Sequence, residues 1–237
     1  MNVLSIGNSF SQDAQRYINK IADADKVNLN TFNLCIGGCS FSKHYRNLLG
    51  EKPSYLLEVN GVPTNFYVSI KEALLSQDWD YVTVQQVSIL STKYDTFQPY
   101  ANEIALAIRK YCPKAKLLVH ETWGYKPEYF KMSNGYSEHS AMYADLHIAY
   151  KKLAEEIKAD GIIPSGTLIN ELVSKLDNLH RDNIHLSSGK GRYAVGLLWY
   201  KLLTGKSVIN NSFNSFDEEI SEEDIKIIKT CVENINY

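Results

Sequence analysis

Short apolar segments alternate with segments of helical periodicity along the whole chain, and this alternation limits the folds that the chain can adopt. The apolar residues 2–6 are followed by apolar side chains at helical spacing over residues 11–24. Parallel strands need a crossover of a dozen or more residues, usually a helix, between one strand and the next. The pattern therefore predicts an α/β fold, a three-layer α/β/α sandwich around a mostly parallel, five-stranded sheet. The later strands are predicted at residues 29–36, 80–86, 115–123 and 161–166.

One stretch departs from this alternation. Residues 55–69 (YLLEVNGVPTNFYVS) contain Asn60-Gly61 between two segments rich in β-prone residues. Asn-Gly between such segments is typical of a two-residue hairpin turn, so we expect a small β-hairpin insertion. No repeat, low-complexity tract or linker divides the sequence, and we expect residues 1–237 to form a single domain.

Composition and charge argue against several classes of partner. The formal net charge is −2 and the basic residues are dispersed, so we expect no nucleic-acid partner. No apolar run approaches the roughly 20 residues that span a bilayer, and we expect no membrane span. No leader sequence is recognisable at the start, which favours a cytoplasmic location; a secreted or periplasmic location stays open if a leader was removed.

The cysteines and histidines do not form a metal-binding pattern. Cys35 and Cys39 lie four residues apart, but no second pair follows at the spacing of a zinc site. We therefore expect reduced, mostly buried thiols, no metal and no cofactor.

Residues able to carry chemistry follow the ends of the predicted strands. Ser9 follows the first strand and Gly38 the second, Gln86 ends the third, and Glu121 lies near the end of the fourth. Ligands of mostly parallel sheets bind at the carboxyl ends of the strands, so these residues are candidates for a site. Ser9 also suits a tight turn or the N-cap of the first helix, and this structural interpretation, which is compatible with a catalytic role, stays open.

A base for Ser9 is offered much later in the chain. Asp182 lies three residues before His185, in a segment that precedes a predicted helix. An aspartate in this position can accept a hydrogen bond from imidazole Nδ1 and leave Nε2 free to take a proton from a hydroxyl. An Asp-x-x-His pair also occurs by chance at protein surfaces, and by itself it is weak support for catalysis.

Three short blocks resemble those of the SGNH hydrolases, also called GDSL-type esterases. GNSFS resembles their first block, with Asn8 where aspartate is more usual, IGGCSF their second, and RDNIHLS their last. The segments GIIPSGTL and HLSSGKGRYAVGLLWYKLLTG are also similar to this family, so the resemblance spans nearly the whole chain. It implies a flavodoxin-like fold with Ser9 as nucleophile, His185 as base and Asp182 as its partner. The backbone N–H groups of Ser9 and Gly38 would bind the oxyanion.

The third block of that family, Gly-x-Asn-Asp, is missing. The strand that should supply its asparagine amide ends in VTVQQVS. A glutamine carries the same donor one methylene further out, so Gln86 or Gln85 is expected to complete the oxyanion hole, with Gln86 favoured because it is nearer the strand end.

Four further residues are candidates for substrate contact: His44, Glu121, Trp123 and Tyr125. His44 follows the second block, and the alternative for it is a plain surface histidine. Tyr125 belongs to an aromatic loop that also contains Tyr129, and such rings can form the wall of a sugar or acyl pocket. Ordinary packing of the loop is the alternative.

The resemblance implies a serine esterase that hydrolyses an O-acyl ester, with an O-acetylated carbohydrate as the expected substrate class. The expected partner is a small-molecule or oligosaccharide ester, and the oligomeric state stays open. The same residues also suit an acyltransferase or a lipid or thioester hydrolase. A binding domain that has lost activity is the alternative of another class.

Overall fold

The computed structural model of the protein describes residues 1–131, 136 and 138–235, without the side chains of residues 130 and 131. Its seven strands form one sheet in the order β4-β3-β2-β1-β5-β6-β7. The strands are β1 (Asn2–Gly7), β2 (Asn30–Cys35), β3 (Tyr55–Val59), β4 (Val62–Val68), β5 (Tyr81–Val84), β6 (Lys116–Glu121) and β7 (Gly161–Pro164).

The parallel part of this sheet has the five strands that the sequence predicts. β2, β1, β5, β6 and β7 pair in parallel, whereas β3 and β4 are antiparallel. The expected hairpin turns at Asn60 and Gly61, whose φ angles of 52° and 74° suit the left-handed conformation of such turns. The expected strand count is nevertheless wrong. β3 pairs with the free edge of β2, so the hairpin extends the sheet to seven strands.

Helices cover both faces of the sheet. They are α1 (Ser9–Gln15), α2 (Ile18–Ala24), α3 (Phe41–Leu49), α4 (Ile70–Leu75), α5 (Tyr100–Tyr111), α6 (His139–Glu156), α7 (Ser165–Leu172), α8 (Lys190–Thr204) and α9 (Glu222–Asn234). Short 3-10 helices lie at Ser88–Leu90, Tyr94–Thr96 and Pro127–Lys131. No helix in the described part of the chain is long and apolar enough to cross a membrane.

Two apolar clusters join these helices to the sheet, one on each face. The first contains buried side chains of α1, α2, α7, α8 and α9, with Trp199 and Tyr193 of α8 fully buried in it. The second contains side chains of α3, α4, α5 and α6, including Phe41 and Tyr150. The fold is therefore the three-layer α/β/α sandwich that the strand–helix alternation predicts.

The strand order places the start of α1 at the centre of one edge of the sheet. β1 pairs with β2 on one side and with β5 on the other, so the chain winds in opposite directions from this strand. The carboxyl ends of such strands border a crevice in which ligands of α/β proteins bind. The loops after β1, β2 and β5 meet there.

The approach of α7 to β6 leads to a prediction about stability. A Cβ atom on Gly166 would lie 2.2 Å from the backbone oxygen of Thr122, which cannot move without displacing the chain after β6. We expect Gly166→Ala to lower the free energy of unfolding by about 1–3 kcal/mol, as overpacking of a core does. Urea denaturation of both proteins measures this difference.

Gly37→Ala is the matched control for this measurement. An added Cβ at Gly37 meets no heavy atom of the described residues within 4 Å, and we expect almost no loss. Equal stability of Gly166→Ala and the wild type would contradict the predicted clash.

Candidate active site

The first turn of α1 is held by the residue before it. Asn8 is the N-cap: its side-chain Oδ1 accepts from the backbone N–H of Phe10 at 3.0 Å, and its own N–H donates to Ser11 Oγ at 3.0 Å. The N-cap interpretation of Ser9 is therefore wrong, because Asn8 takes that position and Ser9 is the first residue of the helix. The hydroxyl of Ser9 is not used to cap the helix.

A chain of two hydrogen bonds joins Ser9 to the loop before α8. The distance between Ser9 Oγ and His185 Nε2 is 2.9 Å, and that between His185 Nδ1 and Asp182 Oδ2 is 2.8 Å. With a proton on Nδ1, the imidazole donates to the carboxylate and accepts from the hydroxyl. This arrangement allows the imidazole to take the hydroxyl proton while the carboxylate stabilises the resulting positive charge.

Asp182 also organises the turn on which His185 lies. Its Oδ1 accepts from the backbone N–H groups of Ile184 at 2.8 Å and of His185 at 2.7 Å. Partial burial by itself would raise the pKa of this carboxyl group. The two N–H groups and the imidazole outweigh that effect and lower the pKa of Asp182 from 3.8 to about 2. Asp182 is therefore ionised at neutral pH, as a partner of an imidazolium must be.

A cavity of about 490 Å³ lies beside Ser9. Gly38 borders it, and its φ of 63° is the left-handed conformation that glycine adopts without strain. The lining consists of residues from five segments of the chain, namely Asn8, Ser9 and Phe10; Gly37 and Gly38; Val87, Ser88 and Ile89; Tyr125 and Tyr129; and Ile184 and His185. Sequence reasoning missed Val87, Ser88, Ile89 and Ile184, because residue type does not show which side of a loop faces a cavity.

Gln85 does not line this cavity but holds Asn8 from behind. Its Nε2 donates to Asn8 Oδ1 at 2.9 Å, and its Oε1 accepts from His120 Nδ1 at 2.5 Å. The backbone N–H of Phe10 also points at Asn8 Oδ1, which identifies that atom as the oxygen and sets the direction of the whole chain. Burial lowers the pKa of His120 to about 3, so its ring is neutral and carries the proton on Nδ1.

The chain of hydrogen bonds continues to both sides of these residues. His120 Nε2 accepts from Ser165 Oγ at 3.1 Å, and Ser165 Oγ accepts from Trp199 Nε1 at 3.3 Å. At the other end, Asn8 Nδ2 donates to the backbone oxygen of Cys39 at 3.1 Å, next to Gly38. This buried polar chain, Trp199–Ser165–His120–Gln85–Asn8–Cys39, therefore joins the core of the fold to the glycine loop of the cavity.

Gln86 is also used within the fold. Its Oε1 accepts from the backbone N–H groups of Phe41 at 3.0 Å and Val87 at 2.9 Å, and its Nε2 donates to the backbone oxygen of Thr96 at 3.2 Å. The side chain is completely buried and lies outside the described lining of the cavity. The expectation that Gln86 or Gln85 points its amide at an oxyanion is therefore corrected: both amides hold neighbouring loops.

Three of the four expected substrate contacts are corrected as well. His44 is fully buried, its Nδ1 lies 2.9 Å from the hydroxyl of Tyr55, and burial lowers its pKa to about 3. Glu121 is also fully buried, and its carboxylate accepts from Thr167 and from His147. Neither residue lines the cavity, because the ring of His44 packs on Tyr55 of β3 and the carboxylate of Glu121 lies between α6 and α7.

Trp123 supports the site from beneath. Its ring stacks on Phe10 with centroids 4.2 Å apart, and its Nε1 donates to the backbone oxygen of Ile184 at 3.0 Å. Trp123 is fully buried and does not line the cavity. Of the four expected residues, Tyr125 lies in the lining, and Tyr129 of the same loop joins it. Residues 132–135 and 137 of that loop lie outside the described residues.

The described residues contain no group of three or more His, Cys, Asp or Glu side chains arranged to hold a metal ion. The chemistry that this part of the chain offers at the cavity is that of a hydroxyl, an imidazole, a carboxylate and backbone N–H groups.

The family model for the domain of unknown function DUF4886 matches residues 2–234. The chain belongs to the DUF4886 family. A solved DUF4886 structure from Bacteroides uniformis superimposes on it with a TM-score of 0.88 and 31% sequence identity, covering 99% of this chain and 93% of that chain. No curated protein matches the sequence.

More distant structures show the wider fold class. A protein from Slackia heliotrinireducens, described as an SGNH hydrolase, has a TM-score of 0.62 and 19% identity, over 86% of this chain and 98% of that chain. An acetylxylan esterase from Geobacillus stearothermophilus has a TM-score of 0.53 and 14% identity, over 85% of this chain and 91% of that chain. At these identities the likeness shows the fold, which is that of the SGNH hydrolases, as the sequence blocks indicate.

The lowered pKa of Asp182 leads to a prediction about acid stability. The pKa of Asp182 is lower in the folded chain than in the unfolded chain, so the ionised carboxylate stabilises the fold. This contribution is fully present at pH values above 3.8, the ordinary pKa, and is lost over the range in which the pH falls from 3.8 through about 2. We expect the stability difference between the wild type and Asp182→Asn to be constant above this range and to shrink as the pH falls through it. Urea denaturation of both proteins at each pH gives the difference curve, and parallel curves would contradict the assignment.

Proposed function

We propose that this DUF4886 protein is a serine hydrolase that cleaves carboxylic esters. The observation that carries the proposal is the hydrogen-bonded chain Ser9–His185–Asp182 at the edge of a cavity bordered by Gly38. A free hydroxyl is a weak nucleophile at neutral pH, and an adjacent imidazole oriented by a carboxylate is the usual means of activating it. The Ser9 hydroxyl does not cap its helix, and its hydrogen bond to His185 supports the catalytic role.

Ser9 Oγ attacks the carbonyl carbon of the ester while its proton passes to His185 Nε2. The tetrahedral intermediate then collapses: the bond to the alcohol oxygen breaks, and the imidazolium gives its proton to that oxygen. A water molecule attacks the resulting acyl-enzyme with His185 again as base, and the acid and free Ser9 are released. Asp182 stays ionised throughout and stabilises the imidazolium.

The oxyanion is assigned to donors at the ends of three strands. The backbone N–H groups of Ser9 and Gly38 are two of them, as in the family that the blocks resemble. Val87, Ser88 and Ile89 line the cavity after β5, and Ser88 alone among them has a side-chain donor. We assign the third contact to its hydroxyl, in place of the amide that Gln85 and Gln86 do not offer.

An O-acetylated carbohydrate is the substrate class that we propose. The acetylxylan esterase of similar fold offers a precedent, and Tyr125 and Tyr129 give the cavity aromatic rings with polar tips. The described lining contains no lysine, arginine, aspartate or glutamate, which favours an uncharged ester. An acyltransferase and a lipid or thioester hydrolase use the same residues and are the alternatives within the class.

Labelling of Ser9 tests the catalytic assignment. A fluorophosphonate should form an adduct that mass mapping places on Ser9, because the activated hydroxyl displaces fluoride from phosphorus. Ser9→Ala should give no adduct and lower the turnover of p-nitrophenyl acetate by about 10⁶-fold. Ser42→Ala, a serine outside the described lining, is the control and should label as the wild type does. An adduct elsewhere, or equal labelling of Ser9→Ala, would overturn the assignment of Ser9 as nucleophile. No adduct in the wild type would favour a binding domain that has lost activity.

A panel of esters tests the substrate class. We expect the highest kcat/KM for acetylated xylooligosaccharides, with one free acetate released per ester cleaved, and lower values for a long-chain p-nitrophenyl ester and an acyl thioester. Ion chromatography of acetate, with Ser9→Ala as the blank, measures this. Transfer of the acetyl group to an added sugar in place of water would identify an acyltransferase. A preference for the long-chain ester or the thioester would overturn the carbohydrate assignment.

A further inference from the structure

Asp13 is a fully buried carboxylate on α1, the helix that begins at Ser9. It lies four residues after Ser9, about one helical turn away along a rigid element. It is absent from the described lining of the cavity and therefore contacts no substrate there. A carboxylate completely removed from water must be paired and hydrogen-bonded, so its partners show what it does.

Within the described residues, the three hydrogen-bond partners of this carboxylate belong to the loop before α8 or to α8 itself. Asp13 Oδ1 accepts from Arg181 Nη1 and from Arg192 Nε, each at 2.8 Å. Asp13 Oδ2 accepts from the backbone N–H of Leu186 at 3.1 Å. Two guanidinium groups and one backbone N–H thus replace the water that a carboxylate would otherwise bind.

Two of these partners lie on either side of the Asp182–His185 turn. Arg181 directly precedes Asp182, and Leu186 directly follows His185. The turn is also closed on itself, since the backbone N–H of Arg181 donates to the backbone oxygen of His185 at 3.0 Å and Arg181 Nη1 donates to that of Leu186. Both ends of the turn are therefore tied to one carboxylate on the helix of Ser9.

We propose that Asp13 is a positioning residue of the active site, which holds His185 at hydrogen-bonding distance from Ser9. This proposal rests on the proposed function. Ser9 and His185 are 176 residues apart in sequence, and their contact requires two separate elements to keep a fixed distance. Asp13 supplies that constraint because α1 carries it together with Ser9. Misplacement of a reacting group by about 1 Å costs on the order of 10²-fold in rate.

The test follows the phosphonylation of Ser9 by a fluorophosphonate in the full-length protein, which requires no knowledge of the natural substrate. We expect Asp13→Asn to lower the maximal labelling rate, kinact, about 10- to 100-fold. The inhibitor concentration at half-maximal rate, KI, should not change, because Asp13 does not touch the cavity. A role confined to overall stability would leave kinact unchanged in the folded protein.

Asp217→Asn is the matched control. Asp217 also pairs with arginines, at 2.6 Å with Arg16 Nε and 3.6 Å with Arg192 Nη1. Within the described residues its carboxylate makes no hydrogen bond to the Asp182–His185 turn. We expect this variant to keep the wild-type kinact. An equal loss of kinact in Asp13→Asn and Asp217→Asn would overturn the proposal, as would a wild-type kinact in Asp13→Asn.

A second pair of variants keeps the proposal testable if Asp13→Asn does not fold. Arg181 is partly exposed, and Arg181→Gln removes the cation that ties the start of the turn to Asp13. We expect kinact to fall in Arg181→Gln and to be largely restored in Arg181→Lys, which keeps the charge. Equal kinact in wild type and Arg181→Gln would overturn the proposal. Failure of the proposed function would give a different result from failure of the role of Asp13. If Ser9 is not the nucleophile, Ser9→Ala will label as the wild type does.

Discussion

The 2.9 Å contact between Ser9 Oγ and His185 Nε2 is the interaction on which the rest of the site depends. The two residues are 176 positions apart in sequence, and the first of them follows β1, the central strand of the sheet. A helix that begins directly after β1 presents the hydroxyl, and a turn before α8 presents the imidazole. Much of the nearby polar structure has the effect of holding these two elements at a fixed distance.

Two buried polar systems provide this support from different sides. The chain from Trp199 to Asn8 orients the cap of α1 and holds the carbonyl of Cys39 beside Gly38. It also gives a reason for an asparagine at position 8, because an aspartate has no N–H to donate to that carbonyl. The second system, around Asp13, ties the imidazole turn to the same helix. Buried polar groups of this kind are costly unless all are paired, and paired they favour one arrangement of the loops.

The regular elements were largely predictable from the sequence. The apolar segments marked the five parallel strands, and Asn60-Gly61 marked the hairpin, because these patterns reflect local backbone preferences and burial. The count of seven strands was not predictable, since pairing of the hairpin with β2 depends on an edge that exists only in the folded sheet. For the site, the motifs selected Ser9, Asp182 and His185 as candidates, and their catalytic roles remain predictions. Glu121 ends β6, Trp123 lies two residues later and His44 lies in α3, and all three are buried.

The sequence by itself determined the class of fold and the chemical groups available, because strand and helix patterns and residue types are local properties. Only the tertiary structure decided where each side chain points. Gln85 and Gln86 carry the amide that an oxyanion hole needs, but both amides are hydrogen-bonded to residues from distant segments. Gln85 bonds to Asn8 and His120, and Gln86 bonds to Phe41 and Thr96. A hydrogen bond needs a partner atom within about 3 Å. When that partner comes from a distant part of the chain, the pattern of neighbouring residues does not predict it.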